Sequence, residues 1–509
     1  MIQLSYYSDI HSHESDPFNQ CYSQKSRSPN IDQRDSKQNL IHSPFGKYQA
    51  EINIPNQVDT NSKFDSNKKR KVRLKITSLS PMEAAFRDVP SPGREFALGH
   101  TRHIENKSRN YFLELKDEYQ HLLGRLMELL PGSKIELAHH AIQVAEILTK
   151  SDESTAIILS VEGAHALSYI DPSIHTGCTI DSVNDQKSKV YQHYLQVFTD
   201  NIRQIKSWGN GHHAPFFITL ASHFWNMVCG HARSFDPEST FSKYDQQYGL
   251  NQGITALGLA VIEQLLSREN GRRILIDIRR MSANSRKEFY NLWEIYRDKC
   301  DPFPIICSHT AVNGMSRLAQ SLRYTDNGLP SDQYFNTWSI NLYDEDICYI
   351  YQSGGLIGLT LDEYLMPGAV SRRLIQKHRL RHNPSLVQAE YVRLLMANIF
   401  HIVRTINHPK AWDMIVMGTD AGGHNNHFEV FENFSPLPEL ADRMLEFLQH
   451  PVENPHLANP LTREDMQRLM FWFTPEELIN KIMYQNTQSF LDRYYHENYL
   501  CSQKINVPA

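Results

Sequence analysis

The chain predicts a (β/α)8 barrel with additions. Three observations carry that reading: eight short apolar runs recur along the sequence, longer segments with helical periodicity separate them, and residues able to hold or serve a metal ion follow several of the runs. The runs are Leu4 to Ile10, Val72 to Leu79, Ala156 to Val161, Phe216 to Ala221, Arg273 to Ile278, Pro304 to Cys307, Gly355 to Thr360 and Asp413 to Gly418. They read as buried strands. The intervening spacing of Phe112, Leu115, Tyr119, Leu122, Leu126 and Leu129, and of Leu257, Val261, Ile262 and Leu265, reads as helix. An open doubly wound sheet is the rival. The ring is preferred because candidate polar residues follow runs one, three, four, six and eight, and closure brings such scattered strand ends to one centre. No Gly-rich phosphate fingerprint supports the open sheet.

The 509 residues, 40% hydrophobic and 21% charged, suffice for one large barrel with additions. The expected organisation is residues 1–18 as first strand and His-x-His pair, 19–68 as a mobile polar insertion rich in Ser, Asn, Gln, Asp and Lys, 69–430 as the rest of the barrel, and 431–509 as a helical extension. In that extension Leu437 to Leu448 and Pro475 to Tyr495 read as helices, with Phe471, Trp472 and Phe473 packed there. The basic run Lys68-Lys69-Arg70-Lys71 reads as a solvated charge run leading into a buried strand. A formal net charge of -5 supplies no general reason to bind nucleic acid. Seven cysteines, an odd number without a Cys-x-x-Cys pair, argue against a disulfide framework. No run is expected to span a membrane, and no cleaved signal peptide fits an amino terminus that carries the His pair. The expected location is cytoplasmic, with a homodimer left open.

Chemistry is sought at the strand ends. The first run leads into His11-Ser12-His13, and residues two apart on an extended segment share a face, so both imidazoles can converge on one cation. Zinc suits that geometry. Glu162 follows the third run and offers a further donor. His223 and His309 each stand two residues beyond the fourth and sixth runs, and one such His among 25 is weak evidence until their common placement is considered. Asp420 follows the eighth run and can ligate a metal or take a proton from water.

Taken in order, Asp9-Ile10-His11-Ser12-His13, Leu159-Ser160-Val161-Glu162-Gly163-Ala164-His165, Thr219-Leu220-Ala221-Ser222-His223, Ile306-Cys307-Ser308-His309 and Gly418-Thr419-Asp420 resemble the renal, or membrane, dipeptidases of the amidohydrolase superfamily, peptidase family M19. The resemblance implies a TIM-like metal-dependent hydrolase barrel that cleaves small peptides or amides at a two-zinc centre. It implies His11 and His13 as ligands of a first zinc with Asp420 nearby, Glu162 as a bridging carboxylate, His309 as one of two imidazoles on a second zinc, and His223 as the group that polarises the substrate carbonyl.

Three departures qualify it. Arg280 stands where the family places its other second-zinc histidine, and a guanidinium has no lone pair for a metal. One tight zinc with an impaired second site is therefore expected, unless His424 or His427 moves in. Arg280 either directs its charge at Glu162 or turns to solvent. Ile340 stands about where the family carries an Arg that clamps the substrate carboxylate, leaving Arg233 or Arg280 as substitutes. His13 replaces an Asp usual in mammalian members. Two readings follow: a zinc-dependent, dipeptidase-like amide hydrolase with Asp420 as base and His223 as electrophile, or a weak or inactive relative that binds a ligand at the barrel mouth.

Overall fold

The computed structural model describes residues 6–13, 72–83, 85, 110–128, 135–168, 178–235, 245–323, 333–421 and 437–501. The proposed insertion 19–68, with its basic run, and His424 and His427 lie outside them. Nine strands occur among the described residues: β1 (Tyr7–Ser12), β2 (Val72–Leu79), β3 (Ile135–Leu137), β4 (Thr155–Glu162), β5 (Phe217–Thr219), β6 (Leu275–Asp277), β7 (Ile306–Thr310), β8 (Leu356–Leu359) and β9 (Ile415–Met417). Eight of them pair in the order β1-β2-β4-β5-β6-β7-β8-β9, every pair parallel. The ring closes where His13 N donates to Ala421 O at 2.8 Å and Asp420 N donates to His11 O at 3.0 Å, just past the ends of β1 and β9.

These strands correspond to the eight apolar runs, and the sequence explains why. A parallel strand inside a ring of helices is covered on both faces, so it reads as a continuous apolar run. β4, TAIILSVE, is buried at seven of eight positions. β3 was not foreseen: its three residues are only half-buried and it pairs with β4 alone, outside the ring.

Helices begin where the sequence supplies a cap. Thr255 accepts from Gly258 N to start Ala256–Leu266, Ser282 accepts from Ser285 N to start Ala283–Asp298, and Asn383 accepts from Leu386 N before Pro384. Pro384–Ile406 is long and apolar enough by composition to cross a membrane, contrary to the expectation that no run reaches that length. Its apolar window is 78% buried within the fold, so that character is accounted for by packing.

Toward the carboxyl terminus the chain is helical at Leu437–Gln449 and from Pro475–Asn480 through a wider π turn at Lys481–Gln485 to Asn486–Tyr494. Trp472 corrects the expectation for its cluster. Phe471 and Phe473 pack partly against the core, but Phe471 adopts a left-handed φ of 56° and the turn leaves Trp472 72% exposed. None of the six described cysteines is in a disulfide.

Candidate metal centre

The strand ends are fixed before any ligand enters. Asp9, buried in β1, accepts from His11 N at 3.2 Å, from Thr419 N at 3.0 Å and from the Thr419 hydroxyl, which fastens β1 to the end of β9. Asp277, at the end of β6, accepts from Thr219 Oγ1 and Ser308 Oγ at 2.6 Å each, and from Ser308 N and Arg279 N. It thereby ties three neighbouring strands. Gly418 serves the same end: a Cβ there would stand 1.8 Å from Ser308 O, so only glycine lets β9 approach the backbone that carries His309.

His11 and His13 project together from the end of β1, as period two requires. His13 Nε2 lies 3.1 Å from Asp420 Oδ1 and 3.2 Å from Glu162 Oε2, and His11 Nε2 lies 3.6 Å from each of those oxygens. Donors about 2.05 Å from a tetrahedral ion stand about 3.3 Å apart, close to these four spacings, and the ligand atoms of His11, His13 and Asp420 are near enough to one another to hold an ion. Among the described residues neither nitrogen of His11 has a hydrogen-bond partner, although the ring is fully buried. Buried polar atoms are rarely left so, and a cation is the partner this arrangement suits.

The electrostatics are those of a site prepared for positive charge. Burial alone would push the Glu162 carboxyl up, yet the Arg280 charge and the neighbouring His11 and His13 imidazoles together hold it well below the usual carboxylate range. Burial also opposes ionisation of Asp420, but its hydrogen bond with His13 and the charges of His11 and His13 together outweigh that, so its pKa is lowered. Burial would depress His13, but hydrogen bonds to Asp420 and Glu162 raise it well above an ordinary imidazole. A proton on His13 therefore occupies the role that a metal ion would take.

A second donor set, His11, Glu162 and His309, is also close enough to hold an ion. Arg280 lies upon it. Its Nη2 is 2.9 Å from Glu162 Oε1 and 3.4 Å from His309 Nε2, and its Nη1 is 2.8 Å from His223 Nδ1 and also contacts Nε2 of that ring. Arg280 is 3% exposed, so the alternative of a side chain turned to solvent is not what the structure shows. Its backbone takes a left-handed φ of 65°, which turns the chain sharply after Arg279.

Both imidazoles beside Arg280 must be neutral where they face it, because a guanidinium only donates. For His309 the tautomer is set by Ser308: Oγ donates to Asp277 and sits 2.8 Å from His309 Nδ1, so Nδ1 carries the proton and Nε2 the lone pair. Burial, reinforced by the charges of His11, Arg279 and Arg280, pushes His309 well below the ordinary imidazole pKa. His223 is aimed by its neighbours. Glu83 accepts from Ser222 Oγ, His223 N and Phe224 N, Gln246 Nε2 donates to His223 O at 2.6 Å, and the ring stacks on Phe235.

The structure thus brings His11, His13, Glu162, Asp420, His309, His223 and Arg280 to one mouth. Arg233 is half-buried on the segment whose Ala232 N donates to Arg280 O, beside the centre rather than in it. Ile340 packs with Ala232, Trp338 and Leu365 in a small apolar cluster. Sequence reasoning did not single out Glu83, Asp277, Arg279 or Asp362. Asp277 and Arg279 stood within a run and its end, where two charged residues among apolar neighbours were the available signal. Glu83 and Asp362 carried none.

No family model and no curated protein matches the chain. Solved structures do. A dipeptidase described as a metallopeptidase of family M19 is 12% identical, with 96% of this chain and 98% of that one covered at a TM-score of 0.48. A Rhodobacter sphaeroides metallopeptidase, liganded with a phosphinate mimic of the dipeptide L-Ala-D-Ala, is 11% identical over 97% of this chain and 99% of its own, also at 0.48. A probable dipeptidase, PvdM, from Pseudomonas aeruginosa is 12% identical over 96% and 94%, at 0.44.

Proposed function

We propose that this protein is a dipeptidase-like hydrolase of amide bonds that works with one tightly held divalent ion, zinc by its donor set. The observation that carries the proposal is the buried group of His11, His13 and Asp420, whose ligand atoms lie within 4.8 Å of one another, with Glu162 Oε2 3.2 Å from His13 Nε2 and 3.6 Å from His11 Nε2. His11, His13 and Asp420 would hold the ion, which when bound would supply Lewis-acid activation of water and of the carbonyl. Asp420, held ionised, accepts the proton that the attacking water gives up. His223, neutral and fixed through Glu83 and Gln246, presents an N–H to the developing oxyanion. Arg280 takes the place of a second cation: its charge keeps Glu162 ionised and lies against both His223 and His309.

Metal-depleted protein should gain hydrolysis of a simple dipeptide such as Ala-Ala on addition of zinc. Asp420→Asn and His223→Gln should each lower kcat by about 100- to 1000-fold. Full activity in Asp420→Asn would contradict the assignment of the base. Because Arg280 caps the second donor set, the rival reading of a ligand-binding protein without turnover has support of its own. Zinc uptake without hydrolysis of any small peptide or amide would favour it.

A further inference from the structure

A group of histidines gathers at the end of the barrel opposite the metal donors. His139 and His140 follow β3, which pairs with the amino end of β4, and His212 and His213 stand just before β5. The ring centroid of His139 is 4.8 Å from that of His212 and 5.6 Å from that of His213. His212 is exposed while His139 and His213 are half-buried, so the cluster meets solvent on one side. The reaction described above does not use it.

The groups packed around these rings supply little negative charge to offset a proton. From helix Tyr111–Glu128, the Tyr119 hydroxyl lies 2.7 Å from His213 Nδ1. Ahead of β6, Arg272 donates Nη1 to His139 O, and it also engages Glu497 at 3.2 Å. Glu136 of β3 is engaged by Lys150 at 2.7 Å, and the Tyr495 hydroxyl donates to Ala138 O. His140 caps helix Ala141–Lys150 by accepting from Gln143 N at Nδ1, which it can do only while that nitrogen is unprotonated. Among the described residues His139, His212 and His213 form no ion pair, and His139 Nδ1 has no hydrogen-bond partner. Burial and the charges of His212, His213, Arg272 and His140 push the His139 pKa down to about 4, and burial with His212 and Arg272 lowers His213.

The segment that carries His139 is lightly tied to the barrel. β3 has three half-buried residues and pairs with β4 alone. The turn after it is held by Ala138 N to Ile157 O at 2.8 Å, by Ala141 N to Tyr495 O at 2.7 Å, and by the Tyr495 and Arg272 bonds already named. We propose that the imidazole cluster is an acid-released latch: neutral, it closes the turn after β3 against β4 and the carboxyl-terminal helices, and protonation opens that turn while the ring of strands stays in place. An opened His139 takes up its proton near pH 6.5 and the closed one near 4, so closure loses stability as pH falls between those values. The latch holds whether or not the protein is a hydrolase.

Hydrogen exchange of the full zinc-loaded chain, read by mass spectrometry at pH 7.5 and 5.0 and corrected for intrinsic exchange, tests it. The opening constant of peptides covering residues 138–142 should rise about 10- to 30-fold at the lower pH, the lower end reflecting solvent screening of a half-buried ring. That of β8 should change less than about threefold. His139→Gln should cut the rise to below about fivefold, and His212→Asn, at the exposed ring, should cut it by about half. Metal-free protein should show the same rise at 138–142, which separates the latch from loss of an ion in acid. An equal rise in both regions would mean that acid loosens the whole barrel, and it overturns the proposal. So does no rise, a rise confined to zinc-loaded protein, or the full rise in His139→Gln. If His139→Gln does not fold at pH 7.5, the full rise in His212→Asn overturns it instead.

Discussion

The two sides of the barrel mouth solve the same electrostatic problem differently. On the β1, β4 and β9 side, His11, His13, Glu162 and Asp420 gather nitrogen and oxygen donors with no cation of their own among them except a proton on His13. On the β6 and β7 side, Glu162 and His309 face a cation that the chain itself supplies, Arg280. Glu162 belongs to both, one oxygen to each. The contrast teaches that a donor set is not yet a metal site: what matters is whether a protein cation has already taken the position.

The largest effect should come from breaking the first side. His13→Ala removes a donor and leaves too few for tight binding, so metal content should drop to near zero and turnover by at least about 1000-fold. Elemental analysis and a dipeptide assay read both, and retained metal would remove His13 from the set. The second side is probed by two replacements. Arg280→His supplies a lone pair beside Glu162 and His309 and should raise metal content from one toward two ions per chain. Arg280→Met supplies nothing, leaves Glu162 buried without its partner, and should destabilise metal-free protein by about 3–5 kcal/mol in denaturant titrations. If Arg280→His binds no additional metal, the donor set beneath Arg280 is not a latent site.

A smaller effect separates the cationic side from its surroundings. Asp362 has its folded-state pKa raised by burial to about 6, above its unfolded value of 3.8. A raised pKa contributes stability at low pH that is lost as pH climbs through the folded value, here between about 4 and 6. Asp362→Asn preserves the acceptor for Tyr364 N and Leu365 N and cannot ionise. In metal-free protein it should be more stable than wild type at pH 7.5 by at most about 3 kcal/mol, with the difference vanishing near pH 4. A difference independent of pH would mean that the folded-state pKa of Asp362 is not raised above its unfolded value.

The strands and the first donor set were legible because both follow from local patterns. Doubly covered strands are written as apolar runs, and His11 and His13 share a face by period two alone. Glu162, His309 and Asp420 were singled out because they directly end or follow such runs, and the fold groups them with His11. What stayed hidden depends on contacts far apart in sequence. Nothing near Arg280 says that it turns inward, since that rests on a left-handed backbone and on Glu162, more than a hundred residues earlier. Glu83, which aims His223 across 140 positions, is equally silent in sequence, and the short, half-buried β3 lacks the apolar signature of the others. Trp472 misled because a turn, not a helix face, decides where it points.

The central claim is that one side of the mouth holds an ion and the other holds Arg280. Purified protein, loaded with excess zinc and then dialysed free of unbound metal, tests it most directly by elemental analysis against protein concentration. One zinc per chain is the predicted result. Two tightly held ions would mean that Arg280 gives way and the two sides are alike, and none would mean that the four convergent donors do not form a metal site.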